Sequence, residues 1–109
     1  MKGMVMGVAT KIKDLESFRG QAALYSVEPA IQYEEIGGSK NKTNFIVVSA
    51  ARVPFIASFG FDNRETYIFP ADQEGEVVYW GELDGSYRGG LDHKKALNDA
   101  GYTLNDMAQ

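Results

Sequence analysis

Asn44-Phe45-Ile46-Val47-Val48-Ser49-Ala50-Ala51-Arg52-Val53 is the stretch that decides the fold. Alternate positions split it into two sets. Phe45, Val47, Ser49, Ala51 and Val53 fall on one side, and Ile46, Val48, Ala50 and Arg52 on the other. Side chains of a strand alternate between its faces, so both faces here are mostly apolar. Such a strand belongs inside a sheet, covered on each side. The stretch therefore predicts a central strand, with its second layer supplied by a C-terminal helix or by a partner subunit.

Upstream, Gly37-Gly38-Ser39-Lys40-Asn41-Lys42-Thr43 has turn residues, two lysines and no apolar group, which predicts a loop at a hairpin tip. Before it, Ala22 to Tyr33 holds the strand formers Leu24, Tyr25, Val27, Ile31 and Tyr33. Pro29 cannot donate to a ladder, so this strand is broken there or runs along an edge. Asp14 to Arg19 predicts a short helical turn capped by Asp14 and stopped by Gly20. Met4 to Ile12 is apolar but interrupted by Gly7, and reads as a first strand or a loosely ordered lead-in over residues 1–20.

Downstream, Pro54 to Asn63 is an apolar loop. Glu65–Ala71 and Glu76–Leu83 then predict a hairpin. Tyr67, Phe69 and Ala71 share a face of its first arm. On the second, Val77 and Tyr79 oppose Val78 and Trp80. Its link, Asp72-Gln73-Glu74-Gly75, suits a type I turn followed by a left-handed glycine. Pro70, late in the first arm, points to an outer position. Leu91 to Ala100 predicts a helix with Asp92 as N-cap, Leu97 and Ala100 on its apolar face, and Gly101 as its stop. Tyr102 and Leu104 then pack back, and residues 105–109 form a polar tail. The whole is expected to be one α+β domain: a mostly antiparallel sheet of three to five strands with the C-terminal helix packed on one face.

The 109 residues are 44% hydrophobic and 12% aromatic, enough for one core. There is no cysteine, which removes disulfides, thiolate metal sites and cysteine nucleophiles. No apolar run reaches the length of a membrane span, and no membrane partner is expected. The net charge of −4 is uneven: residues 1–61 hold seven Lys/Arg against five Asp/Glu, residues 62–109 four against ten. An acidic second half repels phosphate backbones, so nucleic acid is not the expected partner.

One string in the second half carries a resemblance. It runs from Thr66-Tyr67-Ile68-Phe69-Pro70-Ala71-Asp72 through Trp80-Gly81-Glu82-Leu83 to Gly85-Ser86-Tyr87-Arg88-Gly89-Gly90-Leu91-Asp92-His93, and ends in Ala96-Leu97 and Ala100-Gly101-Tyr102. With Leu24-Tyr25 and Val47-Val48-Ser49-Ala50 upstream, it resembles small proteins encoded by phages of actinobacteria and by related prophages. The resemblance spans residues 22–102 and brings no known activity. It implies a phage-type accessory protein acting in the host cytoplasm on a host or phage macromolecule.

No spacing of residues matches a catalytic or metal-binding motif, so no catalytic residue, metal or cofactor is expected. Ser86, Asp92 and His93 supply the letters of a triad without its geometry, and His93 reads as a surface histidine in a first helical turn. Asp72, Glu74, Glu76, Glu82 and Asp84 read as solvated turn acids. Two candidate sites remain. Phe55, Phe59, Phe61, Tyr79 and Trp80 are candidates for an exposed aromatic interface, since aromatic residues are enriched where proteins bind one another. Arg88, Gly89, Gly90, Lys94 and Lys95 surround a glycine-rich turn into the helix, where backbone N–H groups can hold an anion. The expected function is thus non-enzymatic binding of a host or phage protein, with self-association as a further option. A small anionic-ligand binder or enzyme using the Arg88–Lys95 turn, and a minor virion component, are the alternatives.

Overall fold

The computed structural model describes residues 7–16, 20–35, 37–52, 60, 64–80, 83, 85–88 and 90–105. Among these, the elements are β1 (Gly7–Asp14), β2 (Gln21–Glu34), β3 (Lys40–Arg52), β4 (Arg64–Ala71), β5 (Tyr87–Arg88), α1 (His93–Asp99) and β6 (Tyr102–Leu104). All six described strands join one sheet in the order β5-β4-β3-β2-β1-β6. Every neighbouring pair is antiparallel except β1 and β6, which run parallel.

β3 is central, as its doubly apolar pattern requires. It pairs with β4 from Phe45↔Ala71 to Arg52↔Arg64 and with β2 from Gln21↔Ala50 to Ser26↔Phe45. Pairing with β2 lapses beyond Ser26 and resumes at Ile31↔Thr43. Pro29 lies in that gap. The ladder to β3 is therefore interrupted at the proline, while β2 itself runs through it and is an inner strand, not an edge. The predicted loop is shorter than its composition suggests. Lys40 to Thr43 already belong to β3, and of the predicted stretch Gly37, Gly38 and Ser39 lie in the tip, closed by Glu35 N–H donating to the carbonyl of Ser39. Gly37 and Gly38 take φ of 101° and 92°, a left-handed pair that side chains disfavour.

Three other expectations shift. The sheet has six described strands and not three to five, because β5 and β6 are two and three residues long. So short a strand cannot display a period of two. Asp14 ends β1 opposite Ala23, with a register shift between Lys11 and Lys13, so Gly7–Asp14 takes the first-strand reading of the N-terminal stretch, while residues 17–19 of the expected helical turn lie outside the described residues. Among the described residues the second arm of the hairpin is only partly formed. Its described residues make one bridge, Val77 to Ala71, and bond to Pro70 and Ile68, while β5 pairs with the start of β4 at Glu65 and Thr66.

Two cores flank the sheet. On the helix side, Ile46, Val48, Tyr25, Val27 and Ile68 pack with Ala96 and Leu97 of α1 and with Tyr102. On the far side, Leu24, Val47 and Ala71 pack with Leu15, Phe45 and Val77. The far face of β3 is thus covered by its own chain, through Leu15 and the segment after the acidic turn. Ile46, Val47, Val48, Leu24, Ile68 and Leu97 are fully buried, each worth roughly 1.5–3 kcal/mol of transfer free energy.

Candidate functional site

The helix-distal face of the sheet carries the site. Alternation along β4 sends Ile68 into the helix-side core and Tyr67, Phe69 and Ala71 to the other face. Even-numbered residues of β4 then aim their backbone groups at its outer edge. The carbonyl of Pro70 accepts from Val78 N–H at 2.9 Å, and the carbonyl of Ile68 from Leu83 N–H at 2.9 Å. Because N and C=O of one strand residue point the same way, the missing N–H of Pro70 falls on that outer edge, not on the ladder with β3.

The turn after β4 folds the next segment back over this face. Asp72 Oδ1 accepts the N–H groups of Glu74 and Glu76 at 3.0 and 2.9 Å, and Gly75, at φ 96°, closes the turn. Asp72 is therefore more than a solvated acid: it holds the turn. Val77 drops into the far-side core. Alternation then lapses, and Tyr79 and Trp80 both pack on aromatic residues of this face. The Tyr79 ring stacks on Tyr33 at 6.1 Å between centroids, and Trp80 meets Phe69 edge-on at 5.1 Å. Phe69 in turn stacks on Tyr67 at 6.0 Å, and the Tyr67 hydroxyl donates to Glu65 Oε1.

The result is a strip of aromatic rings from Tyr67 to Tyr33. These rings are half-buried, except that Trp80 remains 65% exposed; Val78 beside it is 43% exposed. Of the five candidate interface residues, the structure places Tyr79 and Trp80 in this strip, and Phe55, Phe59 and Phe61 lie outside the described residues. Tyr33, Tyr67 and Phe69 were not candidates on sequence grounds. Tyr67 and Phe69 were legible from alternation, since they share a face with Val47. Tyr33 was not, because its position depends on the register slip at Pro29.

The glycine-rich turn is arranged differently from an anion site. Asp92, in extended conformation, caps α1, and its Oδ1 accepts Lys95 N–H at 3.1 Å. Asp92 N–H donates to Thr66 Oγ1 at 3.2 Å, and that hydroxyl donates to the carbonyl of Gly90 at 2.8 Å. Lys95 Nζ pairs with Asp99 at 2.8 Å and lies 4.6 Å from the Tyr87 ring centroid, which raises its pKa through the Asp99 bond. Lys94 is exposed, and the backbone of Arg88 pairs with Glu65 in β5. Gly89 lies outside the described residues. The Lys95 N–H of the first turn is thus already bonded within the chain.

His93 is half-buried, contrary to the surface position expected of it. Nδ1 stands 3.0 Å from the Tyr25 hydroxyl and Nε2 3.0 Å from the carbonyl of Gln21. The neutral ring satisfies both, accepting from Tyr25 and donating to Gln21. Burial pushes the His93 pKa down, against the raising effect of the Gln21 carbonyl. Burial also pushes the Tyr25 hydroxyl up to about 12, with Asp14 adding to it. Ser86 Oγ accepts Ile68 N–H at 2.9 Å, so Ser86, Asp92 and His93 serve three separate partners and form no triad. An open cleft of about 630 Å³ lies beside His93, Lys11, Asp14 and Glu16. Its Lys11 and Asp14 are paired at 2.6 Å, and among the described residues no buried side-chain N or O lacks a partner. No group of three or more metal-ligating side chains occurs among the described residues, and none of their helices is long and apolar enough to cross a membrane.

No family model, curated protein or solved structure matches the chain.

Proposed function

We propose that this chain is a non-enzymatic binding protein, of the accessory type that phages encode, and that it acts in the host cytoplasm by docking a host or phage protein on its aromatic strip. The observation that carries the reading is Trp80: a tryptophan held by Phe69 yet 65% exposed. A large ring with most of its surface exposed presents that surface to a partner, and tryptophan and tyrosine dominate binding energies at interfaces. Rings that already stack on one another lose little further freedom on binding, which lowers the cost of association.

The test compares wild-type bait with Trp80→Ser in host lysate. Because Trp80 is mostly exposed, the variant keeps its fold, which a urea titration checks. Stoichiometric retention of a lysate protein by the wild type, lost in the variant, supports the reading. An identical bound set for both proteins rejects it.

A further inference from the structure

On the helix side of the sheet, away from the aromatic strip, the ring of the first α1 residue is fastened to β2. His93 Nδ1 accepts from the Tyr25 hydroxyl and Nε2–H donates to the carbonyl of Gln21, both at 3.0 Å. Tyr25 is only 3% exposed, and burial, aided by Asp14, pushes its pKa up to about 12, so the hydroxyl keeps its proton. Among the described residues, His93 Nδ1 is the acceptor for that proton. Protonation of His93 removes it. A neutral imidazole has one acceptor nitrogen, and an imidazolium has none. The Tyr25 oxygen can then accept from Nδ1–H, but its own O–H is left without an acceptor. A buried donor without a partner is costly, and the cost disappears when the helix start opens and water reaches the hydroxyl. The open cleft of about 630 Å³ beside His93 gives solvent and protons a route to the ring.

We propose that His93 and Tyr25 form an acid-released latch: as His93 takes up a proton, the first turn of α1 opens away from β2. Opening bares part of the apolar layer of Ile46, Val48 and Ile68 that Ala96 and Leu97 cover. Among the described residues, Lys11, Asp14, Glu16, Asp92 and Lys94 face the ring, share its cleft or lie next to it. Burial, the largest influence, lowers the His93 pKa below 6.5; the Gln21 carbonyl, Asp14 and Asp92 oppose it, and Lys11 adds to it. The latch therefore holds above about pH 6.5 and loosens as pH falls through the lower value of the closed form. It is independent of the docking reading, which concerns the other face of the sheet.

Amide hydrogen exchange, corrected for its intrinsic pH dependence, reads the opening between about pH 7.5 and 5.5, above the ordinary carboxylate range. A ring that titrates near 6.5 in the open form limits the gain in opening over that interval to about tenfold. The N–H groups of Lys95 and Ala96, bonded to Asp92, should lose up to that much protection, while those of Val47 and Val48 in β3 keep theirs. The loss should vanish in His93→Gln and shrink in Tyr25→Phe. His93 is the only histidine, so its ring resonance follows its titration directly. Its pKa should rise in Tyr25→Phe, where the neutral ring no longer accepts a hydrogen bond. Urea midpoints near pH 7.5 check the fold of both variants. The latch is overturned if α1 keeps its protection in the wild type, if β3 loses protection equally, or if His93→Gln shows the same loss. It is overturned as well if a folded Tyr25→Phe leaves the His93 pKa and the loss of protection unchanged. The lysate comparison with Trp80→Ser decides the docking reading separately.

Discussion

At the scale of single residues, His93 makes the clearest commitment. Its ring bridges α1 to β2 by bonding Tyr25 and Gln21. Among the described residues, Lys11, Asp14, Glu16, Tyr25, Asp92 and Lys94 are charged or titratable groups that face it, share its cleft or lie next to it. Burial is the leading influence and lowers its pKa below the ordinary 6.5. Folding thus favours the neutral ring, and the unfolded chain binds the proton more readily. The stabilisation is complete above the unfolded pKa near 6.5 and is lost as pH falls through the lower folded value. Urea midpoints between about pH 7.5 and 5.5, above the main carboxylate range, should fall in the wild type. In His93→Gln, which keeps a donor for Gln21 but does not titrate, this component of the fall should be absent. Equal slopes for the two proteins would show that His93 is not the group responsible.

At the scale of elements, α1 illustrates how a seven-residue helix persists. A helix so short cannot stand alone. It is held by Ala96 and Leu97 in the helix-side core and by the Asp92 cap. Asp92→Ala should lower stability by about 1 kcal/mol, and Asp92→Asn by much less, read as urea midpoints. This element was legible in the sequence because cap, apolar pair and stop residue all sit within ten positions. β3 was legible because thirteen residues give alternation room to repeat. β5 and β6 were not, since their places depend on long-range pairing, Tyr87 to Thr66 and Tyr102 to Gly7. The hairpin's second arm reads as a strand by propensity. Among the described residues the outer edge of β4 is met by separate contacts from Val78, Leu83, Ser86 and β5.

At the scale of the whole molecule, the sequence marked Tyr79 and Trp80 by residue type alone, without a surface to place them on. The surface appears only once β4 supplies Phe69 and Tyr67 and the slipped register of β2 supplies Tyr33. The doubly apolar β3 left two ways to cover its far face, a partner subunit or the chain itself, and the chain does so with Leu15, Phe45 and Val77. Self-association is therefore not needed to bury Val47, which is already fully enclosed. The strip that remains open is bordered by Glu74 and Glu76, and a two-fold contact through it would set those carboxylates against their own copies. Light scattering at neutral pH and low salt should accordingly give the monomer mass of 12.0 kDa. Glu74→Gln/Glu76→Gln, or salt high enough to screen the border, should raise any tendency of the strips to pair. A wild-type dimer that persists at low salt and dissociates on Trp80→Ser would show instead that the strip's apolar contact outweighs its charge, and that its occupant is a second copy of the chain.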